Sequence, residues 1–351
     1  MTRQASIDPA LKQGATPRQC EYIDAVNEHG GVMAGAKALG IGYQNMSRAI
    51  SAIKKRAAEA RGIPQAQTLA RPIPALPPVT TAAEGAKKIL VLPDVQAKPG
   101  HDFSYLMRIG QYMVEKKPDI VVCIGDFADM PSLSSYDKGK KAFEGRRYKR
   151  DIEASHEAMS AFLTPLVDYN YGKQPEDIYR PRMVLTLGNH EDRINRAVNE
   201  DPKLDGIMSV ADLKYAEFGW EVIPFLKVIV IEGVAFSHYF TTGLMGRPAG
   251  TAAAQLRKTN MSCYSGHQQG KQIAYGYRAD GRTITSIISG SCYEHDEDYL
   301  GPQGNKHFRG FWMLHEVVDG AFDEMPVSLG FINKRYPHIA VAPDHSKEFA
   351  A

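Results

Sequence analysis

Cysteines are few and scattered: Cys20, Cys123, Cys263 and Cys292 form no CxxC pair and no dense framework. That excludes a disulfide-stapled scaffold, argues against a structural zinc site, and reads as four reduced thiols in a cytoplasmic protein. No apolar run approaches the roughly 18 residues a membrane span requires, and the N-terminus, MTRQASIDPALKQ, lacks the hydrophobic stretch of a secretory leader. No membrane partner is expected. Net charge is nearly absent too, at +2 over 351 residues, and with 43% hydrophobic content the chain is unlike the charged, apolar-poor sequences that stay unfolded. Its length exceeds what one small core needs and predicts two domains.

The small charge is unevenly spread. Residues 1–62 hold nine Lys/Arg against five Asp/Glu, a net +4, which leaves −2 for the remainder. Pro64, Pro72, Pro74, Pro77 and Pro78 then mark residues 63–86 as an extended linker, because proline fixes φ and removes backbone donors. Ahead of it, Thr16-Pro17 starts a helix to about Asn27 that Gly30-Gly31 breaks. A short helix with Val32, Ala36 and Leu39 on one face follows, and after the Gly40-Ile41-Gly42 turn a third runs from Tyr43 to Ala60 with Met46, Ile50 and Ile53 at helical spacing. This small all-α pattern resembles helix-turn-helix DNA-binding domains. Gln44, Asn45, Ser47 and Arg48 stand where base edges would be read, and Lys54, Lys55 and Arg56 where phosphates would be met, so double-stranded DNA is the expected partner. A protein-docking or oligomerisation module has the same pattern, and the oligomeric state is left open.

Residues 87–335 read as a second domain and 336–351 as a tail. KKILVLPD, a helix from Phe103 to Glu115, DIVVCIGD and RMVLTLGN form a parallel βαβ series, while later segments alternate, with Asp280-Gly281 and Asp319-Gly320 as hairpin turns. The expected class is α/β: a mixed sheet, or two stacked sheets, flanked by helices. Metal-competent residues follow the strands directly: Asp94 and Gln96, then Asp126 and Asp129, then Asn189, His190 and Glu191, then His238, then His267 and Gln269. Open α/β sheets place their ligand sites at that edge.

The ordered series Asp94-Val95-Gln96, Gly125-Asp126-Phe127-Ala128-Asp129, Gly188-Asn189-His190-Glu191, Ser237-His238 and Gly266-His267-Gln268-Gln269 resembles the five signature motifs of calcineurin-like metallophosphoesterases, and GDFADMPSLSSYDKG with GNHEDR is similar to phage-encoded members. The resemblance implies that family's β-sheet sandwich and two divalent metal ions. Asp126 would bridge them, Asp94 would anchor the first metal, and Asn189, His238 and His267 would complete the second. His190 would face the substrate with Asp129 on its other ring nitrogen, although a helix cap is an alternative role for Asp129. A metal-bridging hydroxide would attack phosphorus.

Gln96 and Gln269 depart from the pattern, replacing both histidines of the first metal. Amide oxygens there leave a harder donor set suited to Mn or Mg, whereas the second site suits Mn, Fe or Zn. Arg193 and Arg196 are candidates for substrate phosphate. The basic stretch Lys138 to Arg150 suits either a phosphate track or a solvated insertion, and Glu294 to Asp298 either a third metal or an acidic surface loop. Three functions remain open: a DNA phosphodiesterase (nuclease or nickase), a phosphomonoesterase on nucleotides or phosphoproteins, and a DNA-binding protein whose esterase site has decayed.

Overall fold

Thr16 and Pro17 begin the first helix for a local reason. The Thr16 hydroxyl accepts from Gln19 N, the Gln19 side chain accepts from Thr16 N, and Pro17 sits in the first turn, where its missing N–H costs nothing. The computed structural model describes residues 7–13, 15–60, 85–137, 139–297 and 300–339. Lys138, most of the proline-rich segment (61–84), the tail from 340 and the side chains of Lys54, Lys55 and Arg56 lie outside the described residues.

The chain separates into two units, residues 1–69 and 70–351. In the first, α1 (Pro17–His29), α2 (Val32–Ala38) and α3 (Tyr43–Ala60) bury Ile23, Val26, Ala36, Met46, Ile50 and Ile53 together with Ile7. Gly30, at φ 80°, ends α1 in the left-handed conformation that favours glycine. Leu39 departs from expectation: it follows the end of α2 and is 41% exposed, so the buried face of that short helix is carried by Ala36 and half-buried Val32.

The second unit runs β1 (Lys87–Leu92), α4 (Ser104–Lys116), β2 (Ile120–Cys123), α5 (Tyr148–Asn170), β3 (Arg182–Thr186), α6 (Asp192–Glu200), β4 (Glu221–Ile223), β5 (Ile229–Ile231), β6 (Val234–Phe236), β7 (Thr241–Thr242), β8 (Arg247–Pro248), α7 (Ala252–Thr259), β9 (Cys263–Ser265), β10 (Lys271–Tyr277), β11 (Thr283–Ser289), α8 (Gly301–Gly304), β12 (Gly310–Val318), β13 (Ala321–Ser328) and α9 (Leu329–Arg335). One sheet has the order β13-β12-β1-β2-β3-β4, parallel from β1 to β4 and antiparallel at β12 and β13. The other has the order β10-β11-β9-β6-β5. Asp319 and Gly320 both take positive φ, 46° and 84°, as a two-residue hairpin turn requires.

Alternation along the central strands builds two cores, because successive side chains point to opposite faces. Ile89, Val91, Val122, Ile124 and Val184 meet Phe236, Tyr264, Ile287, Trp312 and Leu314 between the sheets. Leu90, Leu92, Val121, Cys123 and Leu185 cluster instead with Leu106, Ile109 and Met113 of α4 and Ala158, Phe162 and Leu166 of α5. With both faces covered, the free edge of these strands is the end where the chain leaves β1, β2, β3, β6 and β9.

Candidate metal centre

Each of those five strands is followed at once by a polar loop. Asp94 and Gln96 follow β1, Asp126 and Asp129 follow β2, Asn189 and His190 follow β3, His238 follows β6 and His267 follows β9. The loops turn tightly: Gln96, Asp126, His267 and Gln269 have φ values of 47°, 50°, 68° and 57°, a region that L-residues occupy at a cost and that clusters at functional sites. Gly188 and Gly266 allow close approach, since a Cβ on either would overlap Asp126 Oδ1 or Asp94 Oδ1 respectively.

Four donors converge. Asn189 Oδ1 lies 2.9 Å from His238 Nε2 and 2.7 Å from His267 Nδ1, and Asp126 Oδ2 lies 3.3 Å from His238 Nε2. Among the described residues, Asp126, His238 and His267 are the group of His, Cys, Asp and Glu whose ligand atoms come within 4.8 Å of one another. The hydrogen-bond inventory explains why this pocket could hold a cation. His238 Nδ1 is 2.8 Å from the Ile124 carbonyl, an acceptor only, so Nδ1 carries the ring proton. In the neutral ring Nε2 is then a bare lone pair facing an amide oxygen and a carboxylate. A positive charge among them, either a second proton on the ring or a metal ion, relieves that arrangement.

The surrounding charges also favour a cation there. Burial disfavours the charged form of His238, yet Asp126 beside it holds its pKa up at about 9. His267 is lowered to about 4 by burial and then by the charge of His238. Burial pushes Asp94 up to about 7, His238 opposing and Asp126 adding to the rise. Asp126, although equally buried, stays below the ordinary carboxylate range because His190 and His238 flank it.

Asp94 Oδ1 accepts from His267 N at 3.1 Å, while Asp94 Oδ2 and Gln96 Oε1 are buried without a hydrogen-bond partner. Two orphaned oxygens so placed suit a hard cation. Gln269 Oε1 accepts from the Tyr293 hydroxyl at 2.9 Å. The residues present therefore fit a divalent metal among Asp126, His238 and His267, and the orphaned oxygens of Asp94 and Gln96 suit a second.

His190 Nδ1 sits 2.8 Å from Asp129 Oδ1, and its Nε2 is 3.0 Å from Arg193 Nη2 and 3.7 Å from Asp126 Oδ2. Guanidinium only donates, so with Nε2 as acceptor the ring proton of His190 is on Nδ1, close to Asp129 but without hydrogen-bond geometry to it. Arg193 Nη1 also donates to the carbonyls of Asp129 and Met130, at 2.7 and 3.3 Å, which ties this arginine to the loop. Arg196 donates to Asn189 O at 2.9 Å, with its side chain 48% exposed. Gln44, Asn45, Ser47 and Arg48 belong to the other unit.

Sequence reasoning gave no role to Glu191, although it stands inside the Gly-Asn-His-Glu run. Fully buried, it accepts from Asp126 N, Ala128 N and Gly188 N at 2.9, 2.9 and 2.8 Å and from the Tyr215 hydroxyl at 3.2 Å. It clamps the loop after β2 to the loop after β3. In the acidic loop, Glu297 pairs with Lys98 at 2.8 Å and His295 at 2.7 Å, joining the loop after β1 to the one after β11.

The pattern of calcineurin-like phosphoesterases matches residues 87–273, which is 187 of the 351 residues. Gene 54 protein of Mycobacterium phage L5 is 28% identical over 215 residues, covering 59% of this chain and 79% of its own. Gene 54 protein of Mycobacterium phage D29 is 27% identical over 247 residues, covering 67% of this chain and 90% of its own. Of solved structures, Yfce, a phosphoesterase from E. coli, aligns over 69% of this chain and 99% of its own, with 11% identity and a TM-score of 0.27. Since the matched pattern spans over half of the sequence and contains every loop but the acidic one that meets at this edge, the chain belongs to the calcineurin-like phosphoesterases and is a metal-dependent hydrolase.

Proposed function

We propose that this phosphoesterase hydrolyses phosphodiester bonds of DNA, as a nuclease or nickase, with its N-terminal helices as the DNA-binding module. The observation that carries the choice of DNA is the division of labour in α3. Met46, Ile50 and Ile53 are buried, while Gln44, Asn45 and Arg48 stand exposed at the start of the helix and Ser47 is half-buried beside them. Gln and Asn pair with adenine edges and Arg with guanine edges in the major groove.

At the metal centre, Asp94, Gln96, Asp126 and Gln269 would hold one divalent cation and Asp126, Asn189, His238 and His267 the other. When bound, the pair supplies Lewis acidity that polarises the phosphoryl group and acidifies a coordinated water. The oxygen-only first set favours Mn or Mg, and the imidazole-bearing second set Mn, Fe or Zn. The carboxylate of Asp129, 2.8 Å from His190 Nδ1, would favour the ring proton on that nitrogen. Protonated at Nε2 as well, His190 would donate to the departing ester oxygen, a step that requires Arg193 Nη2 to withdraw. Burial opposes this protonation, but Asp126 and Asp129 raise the His190 pKa above its ordinary value. Arg196, half exposed next to Asn189, would take a neighbouring phosphate.

The test is incubation with supercoiled plasmid and Mn²⁺ or Mg²⁺, beside a generic phosphomonoester and a small diester, using wild type, Asp126→Ala and His190→Ala. Metal-dependent nicking lost in both variants is the expected outcome. Turnover of the monoester with the plasmid left intact would replace this proposal with a phosphomonoesterase, and inactivity on all substrates with a decayed site.

A further inference from the structure

The β7–β8 hairpin grows directly out of a metal loop. His238 is followed by Tyr239 and buried Phe240, after which Thr241–Thr242 and Arg247–Pro248 pair as a ribbon that joins neither large sheet. Its base is anchored twice: Ala249 N donates to Phe240 O at 2.9 Å, and Ala249 O accepts from the side chain of Gln268, the residue between His267 and Gln269. At the tip, Gly243 and Gly246, with φ of 65° and 64°, bracket Leu244 and Met245, whose exposures are 107% and 80%. Arg247 beside them is exposed too.

At the foot of the hairpin, the Tyr239 ring lies 4.7 Å from that of His267 and meets Phe225 edge-on at 5.7 Å. Its hydroxyl feels the charges of Asp192, Arg196 and Asp126. Six steps of chain separate His238 from Leu244, so the apolar tip lies within about 20 Å of the metal loop, with Arg196 by the aromatic face and Arg247 by the tip. Two side chains are far too little for a protein partner, whose stable interfaces bury about 800 Å² a side. They match the size of one base step, where proteins that kink DNA insert Leu or Met.

We propose that this hairpin is a base-unstacking wedge and that the site therefore takes a DNA strand whose bases are unpaired at the scissile step, Leu244 and Met245 entering the stack and Tyr239 receiving a freed base. The proposal rests on the DNA reading above.

The full chain would be tested with Mn²⁺ on two oligonucleotide duplexes, one fully paired and one with an unpaired step, each carrying 2-aminopurine at that step as a fluorescent reporter of unstacking. Wild type should raise the fluorescence and cleave the unpaired substrate about ten-fold faster than the paired one. The double variant L244S/M245S should lose the rise and cleave DNA about ten-fold more slowly, while its turnover of bis(4-nitrophenyl) phosphate, which has no stack to open, reports a folded site. Tyr239→Phe should keep the preference for the unpaired step and Tyr239→Ala lose it. DNA cleavage and fluorescence unchanged in L244S/M245S would overturn the wedge alone, as would a change confined to oligomeric state. Turnover of the small diester with no cleavage of either duplex by wild type would overturn the DNA reading as well.

Discussion

Glu191 accepts a hydrogen bond from the backbone N–H of Asp126 across 65 positions of chain, at 2.9 Å, and so holds the loop that carries Asp126 from behind. Both oxygens of Glu191 are fully engaged by donors. Glu191→Gln puts an amide N–H₂ against at least one of them, leaving buried donors facing one another. The variant should lose about 1–3 kcal/mol of stability, read by denaturant unfolding, and bind its metals more weakly, read by metal content after dialysis. Wild-type stability in Glu191→Gln would show the clamp to be dispensable.

Removing His190 should separate chemistry from assembly. His190→Ala should keep its metals and lower kcat about 10²- to 10⁴-fold on alkyl diesters, with a smaller loss on 4-nitrophenyl esters, whose leaving group needs no proton. Asp129→Asn should fall between wild type and His190→Ala, because the ring is kept but its tautomer is no longer fixed. Equal losses on both ester types would place His190 in binding rather than proton transfer.

Gln96 and Gln269 set an asymmetry that metal titration can read. Zn²⁺ should load one tight and one weak site in wild type, with Mn²⁺ restoring occupancy of the weak one. Restoring imidazoles in Gln96→His/Gln269→His should convert the weak site to tight zinc binding. Two equal zinc sites in wild type would contradict the assignment.

Asp151, in α5, predicts a pH effect on stability away from the metals. Its Oδ2 accepts from Ser132 N at 2.9 Å while Oδ1 is buried without a partner, and burial pushes its pKa up to about 6 despite that bond. A folded-state pKa above the unfolded value means that the native state binds the proton more tightly, so this group adds stability as pH falls through 6 toward 4. Asp151→Asn keeps the acceptor for Ser132 and discharges the site. Its advantage over wild type should be near zero at pH 4 and about 2 kcal/mol at pH 8, measured by denaturant unfolding. An advantage independent of pH would refute the assignment.

Four of the five loops were legible because each follows a β-branched run, and a strand that ends in Asp or Gly-Asn-His announces both its element and its chemistry, whereas the His267 loop follows Cys263–Ser265 and was legible only as a motif. Three helices of the first unit were legible from Thr16-Pro17, the glycine breaks and the spacing of Met46, Ile50 and Ile53. Long α5 was not, since its N-terminal half is charged and Pro165 lies inside it. What holds it is tertiary: the Cβ that Gly110 of α4 lacks would collide with Phe162 O and come within 3.1 Å of Pro165 Cγ, so the two helices cross closely there. The part of Glu191 was illegible for a related reason, because three of its four partners are backbone N–H groups that have no residue identity to read. Leu244 and Met245 carried no signal either, as exposure is not written in a Gly-Leu-Met-Gly run.

The left-handed turns at Gln96, Asp126, His267 and Gln269 make the metal centre a loaded spring. Four non-glycine residues held there cost on the order of 1–3 kcal/mol apiece. The sheets supply the frame that resists it, and the arriving cations are what let it rest. Chelation should therefore loosen these loops before it unfolds the sandwich, so that amides around Asp126 and His267 exchange with solvent while those of β1 and β2 stay protected.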